Sequence, residues 1–587
     1  MGIPHLYTTL RPLATWNFFQ DEAAVIDGPA LAYHILHICR ANGVSQPSYG
    51  LLNHITLSWL DSLCLHNVFI RKLYFDGYLP RAKLEVRIAR MMRATTRLKR
   101  LYTLHLQGCP ASYLATDDIV ADVDIYRTEG TELYQLVDPC FLVPAVLSCL
   151  RESKRYRTIT EVVPGEADHF CAADVSKHGG ILITSDSDLL VHDLGEARIT
   201  FLRDLHIESR RGFKCLSFAP KQIFNKMKLA YPEKAIQLAY ERIMAPQATL
   251  SQLVNRCSRP APPTAEYIDF SKNYTQSEEA VRLQRIALEL PYFNALDPRV
   301  SETVLEICSR RSGLSMDVPI KMFLPPLLEC PGLRSAWDQS TPIRRLAYSI
   351  ASYTLPQTDA CLNVREFRRV DTSSYGGRQI KLFSPNQARK YIDDILSCAK
   401  CLEDDTQCDG DKFWTFLAIA LDTMESIQSG REQIPEVIEG WFGGRSIELG
   451  DKVAWSIVHI SAQIQAMLYS LRVLQQILRS TVSHGIDEVV PEAAQICLLL
   501  TKLIPVELYP LTTNLPRMIR EFQETGCRYA LNAFWARRMQ SDNFDCNKGD
   551  QITTTAENVL DSTLSARNRT DTSCTGNNPY SVLDLEI

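Results

Sequence analysis

The sequence predicts an α/β fold over residues 1–215, a parallel sheet flanked by helices, followed by a large α-helical region over 216–540. In the first part, short β-rich apolar runs alternate with helical patterns, an order that needs crossover connections and therefore parallel strands. Three of those runs end on an aspartate, at the edge where open α/β sheets gather ligands. In the second part, Ile457, Ile460, Ile464, Met467, Leu468, Leu471, Leu474 and Leu478 recur every three or four residues. That stripe describes an amphipathic helix about six turns long.

Taken in order, Ala23-Ala24-Val25-Ile26 before Asp27 reads as a buried strand, and Leu31–Arg40 and Ile55–Leu65 as the helices after it. Val68-Phe69-Ile70 through Leu73-Tyr74-Phe75, ending at Asp76, is a second strand. A helix over Glu166–His178 leads to a third strand, Ile181–Thr184, before Asp186, and Ile199–Leu202 makes a fourth. From about Phe218 the pattern is mostly helical, with loops at Arg259–Pro263 and Ser373–Gly377. The tail 541–587, rich in Asn, Thr, Ser and Asp, is expected to be disordered.

With 587 residues there is chain enough for about four domain equivalents and a sizeable core. Lys and Arg number 63 against 68 Asp and Glu, a net charge of -5, so no global basic excess announces nucleic acid and charge must be read by segment. Eighteen scattered cysteines are too sparse for a disulfide scaffold and fit a reducing compartment. The start, Met1-Gly2-Ile3-Pro4-His5-Leu6, has neither a signal-peptide pattern nor the Ser or Thr that myristoylation needs at Leu6. The richest apolar stretch, Ile496 to Pro510, is interrupted by Lys502, Pro505 and Glu507, short of the ~20 residues that span a bilayer. The expectation is an intracellular soluble protein with no membrane partner.

Six carboxylates stand out: Asp27 and Asp76, each before a glycine, Glu166 and Asp168 in Pro164-Gly165-Glu166-Ala167-Asp168, and Asp186 and Asp188 in Ser185-Asp186-Ser187-Asp188. Taken singly, an Asp-Gly after a strand is a turn and an Asp-x-Asp before Leu-Leu is a helix cap. Together, at the ends of apolar strands, they form the all-oxygen donor set that hard divalent cations choose. Residues 81–100 add eight basic side chains, Arg81, Lys83, Arg87, Arg90, Arg93, Arg97, Lys99 and Arg100, against the single acid Glu85. This run is either a footprint for phosphate or a solvated helix face. Cys398-Ala399-Lys400-Cys401 with Cys408 lacks a second pair or a nearby His and reads as structural. No Walker A, dinucleotide-binding or Gly-x-Ser-x-Gly motif is present, and His34, His169 and His192, beside the acids, read as flank or core residues.

These motifs, with Met1-Gly2-Ile3 and Leu6 ahead of them, Leu31-Ala32-Tyr33 after Asp27, and Leu189-Leu190 after Asp188, resemble in order the flap endonuclease/XPG superfamily of PIN-like nucleases, the fungal asteroid-type proteins most of all. The resemblance covers residues 1 to about 250. It implies a PIN-like core over 1–215, with a helical arch at about 84–150, that hydrolyses phosphodiester bonds in branched or flapped DNA, DNA being favoured over RNA. It further implies that Asp27, Asp76, Glu166, Asp168, Asp186 and Asp188 hold two Mg²⁺ or Mn²⁺ ions, and that Lys83 and Arg90 contact the scissile phosphate. Lys83 and Arg90 lie two helical turns apart on one face. Gly2 would pack near the nucleic-acid junction, and Arg87, Arg93, Arg97 and Arg100 would line the strand's path. One departure stands against it: Leu238 to Pro246, where the family carries a Gly-rich duplex-gripping turn with a further Asp, holds neither Gly nor Asp. The alternative is therefore a weak or inactive nucleic-acid-binding or interaction protein that keeps the fold. A DNA enzyme would be nuclear, although Lys154-Arg155-Tyr156-Arg157 is too short a basic cluster to serve as the signal.

Overall fold

The apolar runs that end on Asp27 and Asp76, and the run before Asp186, form three adjacent strands at the centre of a seven-stranded sheet. In the computed structural model the described residues are 2–116, 122–129, 137–208, 212–275, 277–312, 319–355, 362–404, 410–430, 450–481 and 490–524. The tail 541–587 lies outside them. The first eight strands are β1 (Thr15–Phe19), β2 (Glu22–Asp27), β3 (Val68–Asp76), β4 (Cys109–Pro110), β5 (Thr160–Val163), β6 (Ile181–Thr184), β7 (Arg198–Glu208) and β8 (Gly212–Phe218). The sheet runs β1-β8-β7-β6-β2-β3-β5. Its β7-β6-β2-β3-β5 portion is parallel, as expected. The β1 and β8 strands close one edge antiparallel, an addition the apolar runs did not announce. The last of these, β8, continues to Phe218, beyond residue 215.

Helices α1 (Leu6–Leu10), α2 (Gly28–Ala41), α3 (Tyr49–Leu65), α4 (Leu84–Leu104), α5 (Leu142–Glu152) and α6 (Ala167–His178) accompany the sheet. Of these, α2, α3 and α5 pack on one another, with α2 against β2 and β3, α3 against β3 and α5 against β5. Cys171, Ala172 and Val175 of α6 join Val25, Leu182 and Ile199 in a core shared with α1 and the helices after β8. All four residues of β6 are buried, as in a strand covered on both faces.

The helices that follow are α7 (Pro220–Lys226), α8 (Glu233–Met244), α9 (Leu250–Cys257), α10 (Ala265–Lys272), α11 (Glu278–Leu288), α12 (Pro298–Arg311), α13 (Thr341–Tyr353), α14 (Pro385–Glu403) and α15 (Gly410–Gln428). The Ile457 stripe forms the core side of the helix Trp455–Thr481, which packs on α12, α13 and α15. This region also holds a sheet of β9 (Ile320–Phe323), β10 (Val364–Phe367) and β11 (Arg378–Ile380), so it is less purely helical than its periodicity suggests. Lys321, Arg365-Glu366 and Arg378-Gln379 interrupt these strands, so none offers the continuous apolar run by which Ile181–Thr184 registers in sequence.

The basic helix α4 does not stand free. Its Ile88 and Met91 pack with Phe323, Phe367 and Val370, and its Leu98 and Leu101 with Val453, Trp455 and Val458. No helix among the described residues is long and apolar enough to cross a membrane.

Candidate active site

The acids converge because the sheet is parallel where they sit. Asp27 closes β2 and Asp76 closes β3, while Glu166 and Asp186 follow β5 and β6 by a few residues. These four strands are neighbours in the order β6-β2-β3-β5, so their carboxyl ends share one edge. Close backbone approach tightens the edge: a Cβ on Gly77 would come within 2.2 Å of the Val163 carbonyl oxygen.

Each acid is held by a short, local device. Asp27 caps α2, accepting from the Ala30 amide at 3.2 Å and from the Thr184 hydroxyl at 2.7 Å. Asp76 accepts the Ala167 amide at 2.7 Å, tying β3 to the start of α6, where Glu166 is the cap residue and Asp168 lies in the first turn. Asp186 Oδ1 accepts the Asp188 amide at 3.0 Å. Glu166 pairs with Lys83 Nζ at 2.5 Å. The cap readings hold locally: Asp27 caps α2 and Asp186 caps the 3-10 turn after β6, and both stand at the shared sheet edge.

The electrostatics of the cluster follow from burial. Burial, with the Asp76 and Asp186 charges added, pushes Asp27 up to about 7. Burial and Asp186 push Asp188 up to about 6. Burial raises Asp76, and it raises Asp168 well above the ordinary range, with Asp27, Asp186, Asp76 and Glu166 all adding to it. Burial works against the charge of Lys83, yet Glu166, Asp168 and Asp188 together hold its pKa above normal.

Among the described residues no group of three or more His, Cys, Asp or Glu side chains is arranged to hold a metal ion. The donor chemistry nonetheless fits a hard divalent cation. The donors are all carboxylate oxygens, like charges are crowded out of water, and Asp188 Oδ1 is buried without a hydrogen-bond partner.

The acids Glu166, Asp168 and Asp188 line a cleft of about 200 Å³ with Gly2, Lys83, His169, His192, Phe270 and Tyr274. Gly2 is there for conformational and steric reasons. Its φ is +113°, and a Cβ would lie 2.4 Å from Asp186 Oδ1. Lys83 reaches the cleft from a 3-10 turn, as the cap residue of α4, whereas Arg90 lies on an exposed face of α4 and does not line the cleft. The two-turn spacing thus begins one residue outside the helix.

The remaining arginines divide. Arg87 pairs with Glu302 at 2.6 Å and lies 4.1 Å over the Phe323 ring, so it is spent on the contact between α4 and the helical region. Arg97 lies 3.5 Å from Asp138, and Lys99 lies 3.2 Å from Asp371. Arg90, Arg93 and Arg100 are exposed, and among the described residues they form no ion pair.

Sequence reasoning placed His169 and His192 beside the acids but missed Phe270 and Tyr274, which complete the aromatic side of the cleft. His169 and His192 are 4.9 Å apart, and His192 meets Tyr274 at 5.3 Å. Burial lowers His169 and brings His192 down to about 3, so both are neutral at physiological pH. His34, by contrast, is a core residue set edge-on to Trp59.

The segment lacking Gly and Asp also looks different in structure. It belongs to α8 and the turn after it, and α8 with α9 makes a helix pair joined by Ala245–Thr249. The pair is held by Arg256 and Glu241 at 3.2 Å and by Arg242 donating to the Ala248 carbonyl at 2.6 Å.

The described site is a buried carboxylate cluster beyond the ends of parallel strands, with a lysine against it. Residues 138–382 match a family described as XPG domain containing, which supports the XPG and PIN-like nuclease superfamily. The matched segment carries Glu166, Asp168, Asp186 and Asp188 and continues past residue 250, through α10 and the β9–β11 sheet. No curated protein matches the chain.

Proposed function

We propose that this protein is a metal-dependent, structure-specific nuclease of the asteroid type that hydrolyses phosphodiester bonds in branched or flapped DNA and works in the nucleus. The observation that carries the reading is the convergence of six carboxylates on one sheet edge, mostly buried, mutually repelling and with one oxygen unpartnered. Buried acids cost stability unless something compensates them. Asp27, Asp76, Glu166, Asp168, Asp186 and Asp188 would hold two Mg²⁺ or Mn²⁺ ions. When bound, these ions would lower the pKa of the attacking water and stabilise the departing 3′ oxygen.

The chain's own residues do the rest. The Thr184 hydroxyl and Ala30 amide fix the Asp27 carboxylate, and the Ala167 amide fixes that of Asp76, so these two acids keep their orientation whatever enters the cleft. Lys83 exchanges Glu166 for the substrate phosphate, offsetting its charge in a site screened from water. Arg90, Arg93 and Arg100 draw the strand along α4 through phosphate contacts.

One observation favours the weaker reading, a nucleic-acid-binding protein of little activity: Lys83 is engaged by Glu166, and Arg87 by Glu302. The experiment that separates the two readings is cleavage of a flapped duplex with Mg²⁺ or Mn²⁺ by wild type and by Asp186→Ala and Asp76→Ala. The expected result is metal-dependent cleavage that both variants lose while keeping their fold by circular dichroism. Wild-type rates from Asp186→Ala would remove the active-site assignment.

A further inference from the structure

The sheet is open along β1. Among the described residues β1 pairs with β8 alone, one-to-one from Thr15 against Ser217 to Phe19 against Phe213 without a bulge, and no strand lies on its other side. Edge strands present a row of unpaired N–H and C=O groups, which proteins blunt with charge, proline or a bulge. Thr15–Phe19 holds none of these and leaves Trp16 45 % and Phe18 39 % exposed on one face. Lys214 Nζ stands 5.7 Å and the His206 ring 5.6 Å from the Trp16 ring. Arg203, 3.7 Å over the Tyr7 ring, and Arg11, just before the strand, are both exposed. Asp204, in the field of both arginines, is buried and accepts the Tyr7 hydroxyl at 2.8 Å, so one carboxylate stands against three cations. Asp21, exposed two residues past Phe19, is the counter-charge at the far end.

We propose that β1 is a docking edge for an extended acidic segment of a partner protein, which joins the sheet as its next strand. Such a segment pairs its main chain with the open side of β1 and sets the apolar side chains of alternate residues on Trp16 and Phe18. Its carboxylates meet Arg11, Arg203 and Lys214. A second copy of this chain fits less well, because pairing β1 with itself would bring two sets of these cations together. A nucleic-acid strand stacks on exposed rings but has no main-chain donors for the open carbonyl groups. The edge is four strands from β2, about 19 Å from the strand of Asp27, so docking is independent of whatever chemistry the acids perform.

The test uses the full-length protein in EDTA and a fluorescein-labelled peptide of alternating valine and glutamate, about eight residues long, the length of an ordinary strand. Binding is read by anisotropy, and amide hydrogen exchange is followed over residues 15–19. The expected result is saturable binding that slows exchange across that segment and weakens as salt rises. Trp16→Ser combined with Phe18→Ser should weaken binding about tenfold, the scale of two cross-strand aromatic pairs. Lys214→Glu should weaken the glutamate peptide and strengthen its lysine counterpart, a reversal that loss of fold cannot mimic. Failure to bind, or binding that leaves exchange at residues 15–19 unchanged, would overturn the inference. So would tighter binding of a single-stranded oligonucleotide that the Trp16 and Phe18 changes abolish, which would assign the edge to nucleic acid. Self-association of the free protein that the same changes abolish would assign it to a second copy. Because no readout needs metal or cleavage, the outcome is separate from that of the nuclease reading.

Discussion

Asp27 shows how one side chain serves fold and site together. It caps α2 like any strand-end aspartate, yet burial beside Asp76 and Asp186 lifts its pKa to about 7, with Asp188 at about 6. Both values lie above the ordinary carboxylate range near 3.9, so the folded state binds these protons more tightly than the unfolded chain does. The stability these groups contribute is therefore complete below about pH 4 and lost as pH rises through 6 and 7, where the buried acids ionise against each other. A divalent cation offsets that loss only once the protons have left. The rise in melting temperature produced by Mg²⁺ should thus be larger at about pH 8 than at about pH 5.5, and Asp188→Asn should flatten the difference. Differential scanning fluorimetry at the two pH values checks this. A Mg²⁺ effect that is equal at both, or greater in acid, would contradict the role given to the acids.

At the scale of elements, α4 and the α8–α9 pair carry separate expectations. On α4, the exposed Arg90, Arg93 and Arg100 should govern salt-dependent binding. Replacing all three by Ala should reduce the slope of log affinity against log salt by up to about 0.9 per lost phosphate contact, with little change in stability. Arg87→Ala should do the reverse, destabilising the protein by about 2 kcal/mol, because it leaves Glu302 unpaired and uncovers Phe323. Salt titrations and melting curves of the two variants test both halves, and an unchanged slope in the triple variant would place those arginines outside the path of the strand. In α8–α9 the helix pair exists, but its turn is closed on itself. The Thr249 amide donates to Gln252, the Gln252 amide to Thr249, and the Ala248 carbonyl accepts from Arg242. Those backbone donors are not free for phosphate, so affinity should rise little as the duplex arm of a substrate is lengthened. A steep gain with arm length would show that other groups grip the duplex.

The same elements show what was legible in sequence. The strands ending at Asp27 and Asp76 were legible because continuous apolar runs met a hard polar stop, and Asp186 because it follows the similar run Ile181–Thr184. The β1 strand was missed because its Trp16 and Phe18 are solvent-exposed, and β5 because Thr160 and Glu161 leave it only Val162 and Val163 as an apolar run. The apolar stripe of α4 was hidden beneath its charges, and Tyr274 comes from a segment that only tertiary packing brings to the acids.

At the scale of the whole molecule, the nuclease-like sheet and the helices after it form one unit across Met1–Leu531, and α4 explains why they should fail apart. Its Ile88, Met91, Leu98 and Leu101 are at most 7 % exposed, buried largely against residues from beyond position 320. Uncovering a fully buried side chain of this size costs about 1.5–3 kcal/mol, so the four together cost roughly 6–12 kcal/mol, as much as a typical domain's entire net stability of about 5–15 kcal/mol. The charged contacts fail with them, since Arg87 loses Glu302 and Lys99 loses Asp371. A fragment of residues 1–218 keeps the whole seven-stranded sheet and all six acids. It should nevertheless expose an apolar stripe on α4, bind a hydrophobic dye, associate in size-exclusion chromatography and melt without a cooperative transition. If the fragment instead runs as a monomer with a sharp melting transition and binds Mg²⁺ as the full chain does, the sheet and its acids are an independent domain. The helical region would then be an addition rather than a structural part of the site.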